Sequence, residues 1–318
     1  LDGDHYVVGH SLANITSQFM QVVGFVVGGA IVAALGTRVT LLLDAATFVV
    51  SALLVVAAVH PRPAAAAGRP MLLHDLAEGS RQVFGDRLLR SILILAWAGA
   101  SFAVVPEGLA VAYAKSIGHG PVATGILTAA GPAGAALGLF VVGRFLSPPR
   151  RRELMLPLAA ASFVALLPTA LHPPFLVATG LWVLCGAGTA FQLAANATFV
   201  AAVPASIRGR AFGIAQSGLQ VGQGLTIAGA GALALVMPVH IVVALSGVVG
   251  LVAVALLRTR WPYAEMDAVH APGDAMTPIW TAPYLLRGHQ RELRGRLRLL
   301  PTGGSGGGGH AEGRVDRR

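Results

Sequence analysis

The chain alternates long apolar stretches with short polar or turn-forming breaks. Eight stretches can be counted, at about 11–35, 39–59, 88–114, 121–146, 155–171, 174–203, 208–237 and 239–257. About 20 apolar residues in a helix cross the hydrocarbon core of a bilayer. All eight reach or approach that length, and the shortest, 155–171, also contains Pro157 and Pro168. The breaks are built from residues that stop helices: Gly36-Thr37-Arg38, the long segment 60–87, Gly118-His119-Gly120, Ser147 to Arg152, His172-Pro173-Pro174, Pro204 to Arg210, and Met237-Pro238. In hydrocarbon every backbone polar group has to be satisfied internally, so apolar spans of this length fold as helices. The pattern predicts an all-α, polytopic transmembrane helical bundle.

Charge is distributed unevenly among the breaks. Arg62, Arg69, Arg81 and Arg87 fall in one connection, Arg144 and Arg150 to Arg152 in the next but one, and Arg208 and Arg210 in the next but one after that. An arginine-rich tail follows the last span, whereas the intervening connections hold only Arg38, Lys115 and a few histidines. The positive-inside rule places the basic set, and with it both termini of the chain, in the cytoplasm of a cell that carries the protein in its inner or plasma membrane. No charged region followed by a short cleavable apolar segment precedes the first span.

Composition narrows the classes further. Only 12% of the 318 residues are charged and 55% are hydrophobic, with a mean hydropathy of +0.70; a soluble domain carries about 25% charged residues. The net charge of +9 would suit nucleic acid only if it formed a basic face on a soluble fold, and here the arginines sit at span ends. The single lysine, Lys115, follows Tyr113-Ala114 without the glycine-rich turn that a phosphate-cradling loop needs. One cysteine, Cys185, excludes an internal disulfide.

An internal repeat appears at an offset of 202 residues. Laying 10–36 over 212–238 pairs Ala13 with Ala215, Gln18 with Gln220, Gln21 with Gln223, Gly29 with Gly231 and Ala30 with Ala232, and sets Asn14 against Gln216. Like-oriented repeats six spans apart are the arrangement of major facilitator superfamily transporters. Three local motifs resemble that superfamily as well. Gly24-Phe25-Val26-Val27-Gly28-Gly29 is similar to the Gly-Pro-x-x-Gly-Gly signature of its antiporters, with Phe25 in place of the proline. Gly143-Arg144 and Arg150-Arg151-Arg152 resemble a degenerate second copy of its Gly-x-x-x-Asp-Arg-x-Gly-Arg loop, without the Asp. Leu43 to Phe48 and Pro204 to Arg210 resemble segments of bacterial drug, macrolide and siderophore exporters. The resemblance covers residues 1–258 and implies helices 5 to 12 of a 12-helix fold. The first four helices are expected to be missing, in line with the absence of an initiator methionine at Leu1.

That resemblance implies a layout: residues 1–60 as the last two helices of an N-terminal lobe, 61–87 as a cytoplasmic linker, 88–258 as a six-helix C-terminal lobe, and 259–318 as a largely disordered cytoplasmic tail. In the linker, Leu73, Leu76, Val83 and Phe84 oppose Asp75, Glu78, Arg81 and Gln82, the pattern of an amphipathic helix. In the tail, near 284–300, Leu286, Leu293, Leu297 and Leu300 form one stripe and Arg287, Arg291, Arg294 and Arg298 another, which suits anionic lipid. Gly303 to Gly309 reads as a flexible linker.

Candidate chemistry is sparse. Gln216, Gln220 and Gln223 lie within roughly 60° of one another on a helix advancing about 100° per residue, as do Asn14, Gln18 and Gln21. Amides in spans turn towards the bundle interior or a water-filled cavity, so they either line a substrate cavity or tie helices together. Gln192 and Asn196 share a face and could meet substrate or pack. Glu107 and Asp44 are the carboxylates within spans, and an intramembrane carboxylate can load and release a proton. Either could instead sit near the outer interface, capping a kink or pairing with Lys115 or Arg38. Gly131, Gly134, Gly138, Gly218 and Gly222 have the spacings of close helix packing. The ten histidines show no ligand spacing beside a cysteine or carboxylate cluster, so neither metal nor cofactor is expected. The resemblance implies a proton-coupled exporter of small amphiphilic compounds working by alternating access. The alternative is a truncated membrane protein with a structural or interaction role. A membrane enzyme is not expected, because no catalytic constellation converges on one face.

Overall fold

A computed structural model of the chain describes residues 4–58, 80–204 and 207–268, with the backbone alone for residues 4–15, Gln18, Asp267 and Ala268. Helix α1 runs Asp4–Ala58 and contains one residue outside helical conformation, Gly36, at φ 75° and ψ 161°. Only glycine takes such a backbone at no steric cost, so the predicted connection between the first two spans contracts to a single residue. The described part of α2 covers 80–85.

The third predicted span is one apolar stretch folded as three pieces: α3 (Arg87–Ala103), α4 (Val105–Gly108) and α5 (Ala110–Ser116). Asp86 starts it, its Oδ1 accepting from the Leu89 amide at 2.9 Å. Pro106 interrupts it, because proline has no N–H to give to the preceding turn; Val104 and Leu109 close the pieces with non-ideal turns. The remaining elements are α6 (Pro121–Phe145), α7 (Pro148–Glu153), α8 (Met155–Val164), a 3-10 turn η1 (Leu167–Leu171), α9 (Phe175–Gly188), α10 (Phe191–Ala202), α11 (Arg208–Leu233), α12 (Val239–Arg258) and α13 (Tyr263–Ala268). Strands are absent among the described residues. The fold is an all-α transmembrane bundle, and among the described residues five helical segments are long and apolar enough to cross a membrane: Phe19–Ala58, Arg87–Gly108, Pro121–Phe145, Phe175–Ala202 and Val239–Arg258. The segment Met155–Leu171 is shorter, and α11 has the length but carries the amide stripe.

Glycine sets how closely the helices meet. A Cβ on Gly134, Gly138 or Gly186 would overlap the backbone carbonyls of Val183, Ala187 and Gly131 respectively, so α6 and α9 touch main chain to main chain. On its other side α6 receives α1, where a Cβ on Gly29 would lie 2.8 Å from the Pro121 carbonyl oxygen. Beyond Gly36, residues 41–58 of α1 are exposed throughout. The bundle interior divides into two apolar clusters. One joins α3, α8 and α10 around Ile92, Leu95, Phe163 and Phe191; the other joins α5, α6, α9 and α12 around Tyr113, Leu127, Trp182 and Val243.

The two ends of the lobe differ in chemistry. At the arginine-rich end, Arg151 of α7 donates from Nε to the carbonyls of Val142 (3.1 Å) and Leu146 (2.9 Å) and from a terminal nitrogen to Gly143 (2.6 Å). These carbonyls lie at the α6 C-terminus, where Val142 also accepts from the Leu146 amide and where a cation favours the helix dipole. Burial lowers the Arg151 guanidinium from its ordinary pKa, which starts high enough that the charge persists. At the same end, Val83 of α2 is buried with Trp261 and Met266, so folded structure continues past Arg258. Arg87 reaches both the Arg260 carbonyl at 3.3 Å and the Glu265 carboxylate at 3.6 Å. The opposite end carries His119, His172 and His240, with the His119 ring stacked on Phe175. The predicted tail helix near 284–300 and linker residues 59–79 lie outside the described residues.

Candidate functional site

Helix α11 is where the predicted site residues are densest, and its packing decides which way they point. Contacts with α3 and α4 bind it to the rest of the bundle. The Trp97 indole N–H of α3 donates to the Ala215 carbonyl at 2.8 Å. Gly218 lies beneath the Trp97 ring, Gly222 faces the Ser101 hydroxyl, and Ile227 lies against Gly108 of α4. A side chain at 218 or 222 would push these partners away, which explains the glycines at both positions.

The amides lie elsewhere on the same helix. Taking Ala211, Ala215, Gly218 and Gly222 as the seam, Gln216, Gln220 and Gln223 sit about 110–170° around the axis from it. Gln216 and Gln220 are exposed and Gln223 is half-buried. The stripe faces away from the α3 seam, so Gln216 and Gln220 leave donors and acceptors open beside α11, whereas one turn past Gln223 on the same face Ile227 packs against Gly108 of α4.

Glu107 sits on α4 next to Gly108, and hence one helical turn along α11 from Gln223 by way of Ile227. It is half-buried. Among the described residues neither Glu107 nor Asp44 is paired with Lys115 or Arg38; the ion pair seen there joins Arg87 and Glu265. Asp44 is exposed on the second half of α1, where its backbone carbonyl accepts from the Thr47 hydroxyl at 2.7 Å. Glu107 therefore adjoins the residue through which α4 meets α11, one turn from Gln223, and Asp44 stands apart.

The other predicted residues are dispersed. Gln21 is exposed on α1, whose seam runs to α6, while the side chains of Asn14 and Gln18 lie outside the described residues. On α10, Phe191, Ala195 and Phe199 face the core, Gln192 is half-buried and Asn196 is exposed. An open, largely apolar groove of about 450 Å³, lined by His119, Pro121, Val122, Ile126 and Phe175, contains none of them.

Two residues of structural weight escaped the sequence reading. Trp97 anchors α11 through a bond across 118 positions, and Arg151 is the one arginine of its run that turns back onto α6. Nothing in a row of three arginines separates one from its neighbours. The small residues opposite Trp97, at 215, 218 and 222, were the available signal for the first.

Comparison with known proteins bears on the same segment. The sequence profile described as Major Facilitator Superfamily matches residues 108–287, more than half of the chain. Curated proteins and solved structures yield no significant match. Membership of this family agrees with the bundle of apolar helices, with the like-oriented repeat and with a multi-pass membrane protein whose general work is transport. The chain belongs to the Major Facilitator Superfamily.

Proposed function

We propose that this protein serves proton-coupled export of small amphiphilic compounds by alternating access, with the chain supplying helices 5 to 12 of the transporter fold. In this reading 1–60 belongs to one lobe, 61–87 links the lobes, and 88–258 forms the core of the other. The observation that carries it is the amide stripe of α11, with Gln216 and Gln220 exposed and turned away from the α3 seam, on the helix that α4 meets next to the half-buried Glu107. Open amides offer hydrogen bonds to a ligand held in a mainly apolar surrounding. A carboxylate on a Pro-interrupted helix next to that surface has a neighbourhood in which protonation and ligand binding influence one another. Gln18, Gln21, Gln192 and Asn196 are assigned to the same cavity in the intact transporter, and Asp44 is a secondary candidate for the proton. The arginine-rich end faces the cytoplasm and anionic lipid.

A second reading, a membrane protein with an interaction role and no transport, draws on one observation: residues 41–58 of α1 are exposed throughout, so this part of the first lobe forms no bundle of its own. Reconstitution of the intact protein in vesicles with an imposed pH gradient tests both. Gradient-driven movement of amphiphilic cations that stops with an uncoupler supports export. Glu107→Gln is expected to abolish gradient-driven movement while leaving downhill exchange. Full coupling in that variant removes Glu107 from the mechanism, and no movement of any of a panel of compounds favours the second reading.

A further inference from the structure

Two histidines that are 68 positions apart in sequence meet at the end of the lobe opposite the arginines. His172 caps η1 and His240 lies in the first turn of α12; their ring centres are 4.6 Å apart and the planes are inclined by 45°. His172 is exposed and His240 half-buried, so the pair opens to the aqueous phase at that end.

The backbone holds this arrangement at a cost. His172 has φ 52° and ψ 55°, and it is the one non-glycine residue with positive φ among those described. A left-handed residue of this kind is uncommon outside glycine and marks a place where surrounding structure imposes the conformation. Pro173 follows at once, and a residue before proline prefers extended backbone, so the turn is held against that preference too; the ring of Tyr113 lies 6.5 Å from that of His172 and 5.2 Å from that of Trp182. The Tyr113 hydroxyl and the Trp182 indole N–H are both buried without a hydrogen-bond partner among the described residues, so this corner also contains unsatisfied polar groups.

We propose that His172 and His240 form a bidentate site for a divalent late-transition-metal ion such as Zn²⁺ or Ni²⁺, taken from the aqueous phase on that side of the membrane. The geometry carries this. With metal–nitrogen bonds of about 2.0–2.1 Å and each ring centre about 1.2 Å behind its nitrogen, two imidazoles on one ion have centres about 4.5–5.2 Å apart for angles of about 90–109°. The observed spacing falls inside that interval, and the inclination departs from face-to-face stacking. No third histidine, cysteine or carboxylate joins them among the described residues, so water fills the remaining positions. Imidazole-only ligation selects zinc, nickel and copper over magnesium and calcium, which demand oxygen. The bound ion ties the end of η1 to the start of α12, two elements that already pack together. The site is independent of the amide stripe and of Glu107, and it stands or falls separately from the transport reading.

Binding of Zn²⁺ and Ni²⁺ to the full chain in detergent, read by competition with a chelating dye, tests the site. His172→Asn keeps a residue that tolerates the left-handed backbone, and His240→Gln keeps a polar side chain of similar size. Each is expected to weaken binding at least about 100-fold, since even residues that only support a ligand cost 10–100-fold. The double variant should be no weaker than either single one, and Mg²⁺ and Ca²⁺ should not compete. Wild-type affinity in His172→Asn overturns the proposal, because the other histidines would then account for the binding. If His240→Gln does not fold, His172→Asn alone decides.

Discussion

Replacing Gly134 by alanine adds one methyl group to the α6–α9 seam, and its consequence can be worked from the coordinates. The new carbon would overlap the Val183 carbonyl oxygen and lie 2.8 Å from the Val183 carbonyl carbon and 2.9 Å from the Ala187 nitrogen, all main chain. Ordinary carbon contacts begin near 3.5 Å, so the helices must part by at least about half an ångström. No side chain can rotate out of the way, and Gly138 and Gly186, on the same seam, lose contact as well. Overpacking of this kind costs about 1–3 kcal/mol, with the upper half expected where only backbone can yield. Gly180→Ala is the matched control: it lies inside α9, the other helix of the seam, and a Cβ there meets nothing within 4 Å. Both substitutions gain the same helix propensity, up to about 1 kcal/mol, which cancels between them. The Gly134 variant should therefore be less stable than the Gly180 variant by about 2–3 kcal/mol, or about 4–12 °C in thermal midpoint for a bundle of this size. The assay is thermal unfolding of the two purified variants in one detergent, followed by size-exclusion fluorescence. Equal midpoints would refute the main-chain contact between α6 and α9.

Three further outcomes are expected. Arg151→Ala removes the donors to Val142, Gly143 and Leu146 and should cost about 2 kcal/mol; Arg151→Lys should recover little, because an ammonium cannot span three carbonyls, while Arg150→Ala stays within about 0.5 kcal/mol, all read by thermal midpoint. Trp261→Ala empties a buried position at the arginine-rich end and should cost about 3 kcal/mol, seen as a lower yield of monodisperse protein and a lower midpoint. Gln216→Ala and Gln220→Ala alter exposed side chains and should leave the midpoint within about 0.5 kcal/mol while reducing vesicle transport; unchanged transport in the double variant would take the stripe out of the cavity.

Apolar runs and their punctuation made the spans legible, because hydropathy and helix breakers are local properties. Gly36 fell where a break was read, the stretch containing Pro157 and Pro168 became a short helix followed by a 3-10 turn, and the third span stayed one apolar stretch although Pro106 divides it. The direction in which each helix faces was harder to read. In a membrane the lipid-facing and protein-facing sides are both apolar, so the amphipathic pattern that orients a helix in water is weak. Glycine spacing partly replaced it: Gly134, Gly138, Gly218 and Gly222 all lie in seams. Side-chain meetings between distant elements had no local trace. His172 with His240, Trp97 with Ala215, and Arg87 with Glu265 depend on how helices cross, and composition carries no record of that.

Val83 and Arg87 touch the stretch from Arg260 to Met266, so the two ends of the described bundle from 80 to 268 are neighbours. A folded unit whose two ends are neighbours can be cut out, copied or spliced into another gene without threading the chain through itself. Gene duplication needs only such a unit and a joining segment, and a helix repeated 202 positions later is the mark such an event would leave.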